Sequence, residues 1–121
     1  MTYDSTDVVD SLIAPGVGYL IVKMSFSRRM ELMRRVRELA RRAEFLEAGQ
    51  DAAEKMDAAI LRGEIDRLYL AWGLRDVIGL ELDGKPATAE SLADCGPEEL
   101  FREALAAVRA ATGLSAVERK N

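Results

Sequence analysis

Seven arginines, Arg28, Arg29, Arg34, Arg35, Arg37, Arg41 and Arg42, crowd into residues 24–42 against only Glu31 and Glu38. That is a local charge of +5 in a chain whose total is −4, so the remaining residues sum to −9. Guanidinium groups at this density can simply form a solvated helix face, pairing with acids one turn away, or they can do one of two jobs. They neutralise phosphates, releasing counterions, or they fork onto carboxylates of an acidic protein surface. The sequence pI near 4.9 and the absence of an aromatic between the arginines speak against a single-strand nucleic-acid platform. Docking on an acidic protein surface, another copy of this chain included, is therefore the stronger expectation for Arg34, Arg35, Arg41 and Arg42. A nucleic-acid-binding regulator using the arginine-rich stretch 28–42 stands as an alternative.

Other chemistry is thinly supplied. The chain has no histidine, which removes His-centred triads, imidazole proton shuttles and His metal ligands. Cys95 is a lone cysteine without a basic neighbour in sequence to lower its pKa, and reads as a packing or loop residue. Gly16-Val17-Gly18 lacks the third glycine and the helix of a dinucleotide fingerprint. We expect no enzyme activity, no cofactor and no metal. The longest apolar runs, Leu68 to Trp72 and Ala104 to Val108, are too short to span a membrane. An acidic N-terminus without a basic flank does not read as a signal peptide, and one cysteine fits a reducing compartment. Cytoplasm is the expected location.

These residues need elements to hold them. The length suits one domain. Residues 1–16, with Asp4, Asp7 and Asp10 and then Pro15-Gly16, read as a loose acidic arm with at most a helical turn. Residues 17–121 read as a single helical domain. Val17 to Met24 reads as a short strand. After the candidate caps Ser25 and Ser27, Leu32, Val36, Leu39, Ala43 and Leu46 recur at helical spacing, predicting a helix that closes at a left-handed Gly49.

A second helix is predicted from about Asp51 to Trp72-Gly73. Leu61, Ile65, Leu68 and Trp72 form its main stripe. Ala53, Met56, Ile60 and Gly63 form an adjoining one, which implies a central helix covered on more than one side, with Gly63 admitting a close neighbour. The short link between the two predicts an antiparallel hairpin. Asp83-Gly84 predicts a small β-hairpin whose second arm Pro86 keeps at an edge. Thr88 caps a short helix, and Gly96-Pro97-Glu98-Glu99 opens another over 97–112, packed across the hairpin. Ser115 with Glu118 reads as a capping box for a last turn. The fold class is thus mainly α: a helical hairpin plus C-terminal helices, a short N-terminal strand and a small β-hairpin. Arg34 and Glu38, and Glu38 and Arg42, sit one turn apart as candidate ion pairs.

The C-terminal half, roughly residues 60–121, resembles the small tail assembly chaperones of long-tailed bacteriophages and prophages. The matching pieces are Leu68-Tyr69-Leu70-Ala71-Trp72-Gly73-Leu74, Val77, Gly79-Leu80, Asp83-Gly84-Lys85-Pro86-Ala87-Thr88, Gly96-Pro97-Glu98-Glu99-Leu100, and Leu114-Ser115 with Glu118-Arg119-Lys120-Asn121. The resemblance implies a holdase that coats the long, hydrophobic helical tape-measure protein and delivers it to the tail-tube protein. Contact residues would then come from the hairpin's open edge: Met30, Met33, Phe45, Tyr69 and Trp72, although Trp72 suits the core as well, given its place in the stripe. A structural or adaptor protein of a phage tail or neck is the alternative within that setting. The family is also made in a longer, frameshifted form, and Arg119-Lys120-Asn121 permits an adenine-rich slippage site.

Overall fold

Helix starts follow the caps. Ser25 begins the first helix, its hydroxyl accepting the Arg28 amide at 3.2 Å, and α1 runs Phe26–Glu47. Asp51 caps the second by accepting the Ala53 amide at 3.0 Å, and α2 runs Ala52–Gly73. Both belong to a computed structural model that describes residues 1–113. The Ser115–Glu118 turn and the slippage site over 119–121 lie outside those residues. Because the link is so short, the helices fold back as a hairpin. Arg62 on α2 reaches Glu47 at the end of α1 at 2.9 Å, and Arg28 at the start of α1 meets Trp72 at the end of α2. Gly49 is not left-handed as expected. A side chain there would meet the Glu54 carboxyl at 2.8 Å, the movable end of a flexible side chain.

The acidic arm is not loose. Thr6–Asp10 forms β1, which pairs antiparallel with β2, Gly18–Val22, from Thr6↔Val22 to Asp10↔Gly18. The chain leaves α2 directly into β3, Leu74–Ile78, which pairs with the other side of β2 and gives the order β1-β2-β3. Alternation on β2 turns Tyr19 and Ile21 into the core, and Val17 just before the strand is buried with them. Asp83 and Gly84 both take positive φ, 52° and 80°, as a tight hairpin turn requires, joining β4 (Glu81–Leu82) to β5 (Lys85–Pro86). Thr88 and Ser91 form a reciprocal capping box on α3, Ala89–Cys95. Helix α4, Glu98–Thr112, follows Pro97 and stops at a left-handed Gly113. The architecture is mainly α with short strands.

Helix α4 packs on α2 and β2 rather than across both arms of the hairpin. At the α2 end the Val108 side chain packs directly onto the Gly73 backbone: a Cβ on Gly73 would lie 2.3 Å from Val108 Cγ1. Gly63, expected to admit a neighbour, has open space around it. Arg102 and Arg109 of α4 converge on Asp66 at 3.1 and 2.9 Å, and Arg109 also lies over the Tyr69 ring at 4.2 Å. Arg67 ties α2 to Asp94 of α3 at 3.0 Å.

One side chain joins α4 to the N-terminal strands. The Glu103 carboxylate accepts the Ser11 hydroxyl, the Leu12 amide at 2.8 Å and the Tyr19 phenol at 2.7 Å. Burial and the adjoining carboxylate push the Tyr19 phenol up to about 12. Burial would raise Glu103 too, but hydrogen bonds from Ser11, Tyr19 and the Leu12 and Ile13 amides outweigh it and hold its pKa below the usual value. A carboxylate with a lowered folded pKa stabilises fully above its unfolded value of about 4.3. That contribution is lost as pH falls through the folded value. Glu103→Gln should therefore cost about 1–2 kcal/mol at neutral pH, the low end for charged hydrogen bonds on a half-buried group. It should also flatten the acid side of the stability profile. Urea melts at several pH values check this, and a variant with an unchanged acid limb would show that Glu103 is not the anchor.

Candidate protein-binding surface

Helix α1 spends one side on the core, through Leu32, Val36 and Ala43. Half a turn away, Arg34, Glu38, Arg41 and Phe45 repeat at spacings of four, three and four and point outward. Arg37, Arg42 and Leu46 flank them. Together these seven residues line an open groove of about 790 Å³ along the helix. Four of the nine residues nominated from sequence, Arg34, Arg41, Arg42 and Phe45, meet there. Arg37, Glu38 and Leu46 were not nominated. A helical wheel in antiphase to the core stripe would have found Arg37 and Glu38, whereas Leu46 lies at the edge of the core stripe itself.

The charge in the groove is largely uncompensated. Arg34 and Arg35 both turn toward Glu31, at 2.6 and 3.4 Å, rather than toward Glu38. Glu31 lies three and four residues before them and so serves both from one turn. Glu38 and Arg42 have suitable spacing yet form no ion pair. Among the described residues no carboxylate comes within ion-pair distance of Arg37, Arg41 or Arg42. Phe45 stands in the same groove with 76% of its surface exposed. Cationic forks around an exposed ring can bind carboxylates and a small apolar side chain together.

The remaining nominated residues are committed elsewhere. Tyr69 is fully buried under Arg109, so it cannot be a contact. Met33 packs half-buried against the core, while Met30 is exposed but outside the groove lining. Trp72 is half-buried, with the Arg28 guanidinium 4.2 Å and the Arg35 guanidinium 5.5 Å from its ring centre. Arg28 also donates to the Trp72 carbonyl at 3.5 Å. Arg35 thus belongs to the α1–α2 seam, not to the groove.

The second stripe of α2 departs most from expectation. Ala53, Met56, Ile60 and Gly63 are all exposed, Met56 by 67% and Ile60 by 59%. The ties from α3 and α4 reach α2 at Asp66, Arg67 and Gly73, so among the described residues the first three turns of α2 have only α1 beside them. The helix is central at one end and open at the other. No helix among the described residues is long and apolar enough to cross a membrane. No protein-family model, no curated protein and no solved structure matches this chain.

Proposed function

We propose that this chain is a non-catalytic helix-binding protein of the kind its C-terminal half resembles, a tail assembly chaperone-like holdase. The carrying observation is the α1 groove, where Arg37, Arg41 and Arg42 lack carboxylate partners among the described residues, beside the exposed Phe45. An amphipathic helix with acids flanking an apolar row fits such a face. Its carboxylates pair with the arginines, and its apolar residues cover Phe45 and Leu46. The uncovered Met56 and Ile60 give a second apolar strip, and methionine adapts to varied partners. A tape-measure helix is the partner, delivered in the host cytoplasm to tail-tube subunits. A tail or neck adaptor would use the same surface in a lasting assembly.

Co-expression with the tape-measure protein of the same phage or prophage tests the reading. The chain should keep that protein soluble and co-purify with it. Phe45→Glu and the pair Arg41→Glu/Arg42→Glu should each weaken the complex at least about tenfold while leaving the melting temperature unchanged, because all three side chains are exposed. Steeply salt-dependent micromolar binding to RNA or DNA, lost when Arg37, Arg41 and Arg42 become glutamine, would replace this reading with the nucleic-acid one.

A further inference from the structure

The free edge of the sheet carries information of a different kind. Among the described residues strand β1 lies outermost, paired with β2 and with no strand on its other side. The Lys23 amide donates to the Ser5 carbonyl and the Ser11 amide donates to the Val17 carbonyl. In an antiparallel ladder such bonds fall on alternate residues, so Ser5, Asp7, Val9 and Ser11 spend their backbone groups on β2. The amides and carbonyls of Thr6, Val8 and Asp10 then point away, at the open edge. Their side chains share one face of the sheet with Leu20, Val22 and Ile78. Val8 Cγ1 and Asp10 Oδ1 both lie within 3.7 Å of where a Cβ on Gly18 would be, which fixes that face. Val8 is 55% exposed and Ile78 is exposed as well. No proline, lysine or bulge blunts β1.

We infer that β1 is a self-pairing edge: two copies of this chain join antiparallel along it, about a twofold axis through Val8, making one continuous six-stranded sheet. Hydrogen-bond parity and charge select this register. Centring on Val8 sets Val8 opposite its own copy and Thr6 opposite Asp10, all of them residues with outward backbone groups. The Thr6 hydroxyl then faces the Asp10 carboxylate, and Asp7, already beside Lys23 at 3.5 Å, faces Val9. Centring on Asp7 would oppose two carboxylates directly. Centring on Val9 would pair only Val8 to Asp10 of the strand. A parallel in-register pair would set each aspartate beside its copy. Five residues a side is a small contact, so the dimer should be weak and rise with concentration. The inference is independent of the α1 groove.

Sedimentation equilibrium from low micromolar to near-millimolar concentration tests it, with wild type expected to shift from monomer to dimer. Val8→Pro removes an outward donor and no bond to β2, so it should leave a folded monomer at every concentration. Crosslinking gives a readout that does not depend on tolerating proline. In a Cys95→Ser background, oxidised Val8→Cys should form a disulfide-linked dimer, because residues paired across an antiparallel ladder have Cα atoms about 5.5 Å apart. Val9→Cys should not, since its copies are offset and lie on the other face. A wild type that stays monomeric throughout, or equal crosslinking at both positions, would overturn the proposal.

Discussion

Replacing Gly73 by alanine should destabilise the domain by about 2–3 kcal/mol, near the upper end for overpacking a core, although alanine is the better helix former. The added methyl would sit 2.3 Å from Val108 Cγ1, and Val108 is fully buried on a short, branched stem. It has no long side chain to swing aside, so α4 itself must shift on α2. The same substitution at Gly63 meets nothing within 4 Å and should stabilise by about 0.5–1 kcal/mol through helix propensity alone. Opposite signs for one chemical change on one helix separate packing from propensity. Urea denaturation of both variants checks this, together with Gly73→Ala/Val108→Ala, in which the collision is relieved and the two losses should fail to add. Equal stability of Gly73→Ala and wild type would show that the α2–α4 contact is looser than drawn.

A charge in the seam should have a still larger effect. Ile65 is 4% exposed and belongs to the main buried cluster, with Leu32 and Val36 of α1 and Tyr69 of α2. Ile65→Asp loses the apolar burial and leaves a carboxylate without solvent, a combination costing about 5 kcal/mol or more. That approaches the whole stability expected of a domain this size, commonly about 5–15 kcal/mol. Loss of far-ultraviolet helicity at room temperature, with the protein insoluble or denatured, is the expected result. Leu68→Asp should be milder, because Leu68 is only half-buried and its carboxylate can reach water. A folded, cooperatively melting Ile65→Asp protein would mean that the stripe Leu61, Ile65, Tyr69 does not form the seam.

What was legible in the sequence follows from which signals are local. Helix bounds came within a residue or two because Ser25, Asp51 and Thr88 accept amides two or three positions on, and Pro97 fixes its own φ near −61° at the start of α4. The Asp83-Gly84 turn was legible for the same reason. Strand β1 was not, since Thr-Asp-Val-Val-Asp is exposed on both faces and shows no alternation. Its position depends on pairing with β2 and on Glu103, some ninety residues away in sequence. Strand β3 was hidden because it continues α2 without a break. The groove was half legible. Spacing marks Arg34, Arg41 and Phe45 as one outward row, but whether Met56 and Ile60 are covered depends on where α4 crosses α2. That crossing is set by Gly73 and Val108, which are thirty-five residues apart. The buried Tyr69 was misread for the same reason, since only α4 supplies the Arg109 above it.

The central claim is that the outward face of α1 receives an acidic amphipathic helix. Backbone amide NMR of the chain, titrated with a synthetic amphipathic helix that carries glutamates beside an apolar row, tests it most directly. Shifts should concentrate on Arg34, Arg37, Glu38, Arg41, Arg42, Phe45 and Leu46, and should weaken when the acids of the added helix are changed to glutamine. Saturable binding whose shifts leave those residues untouched, or no binding at near-millimolar helix, would contradict the account.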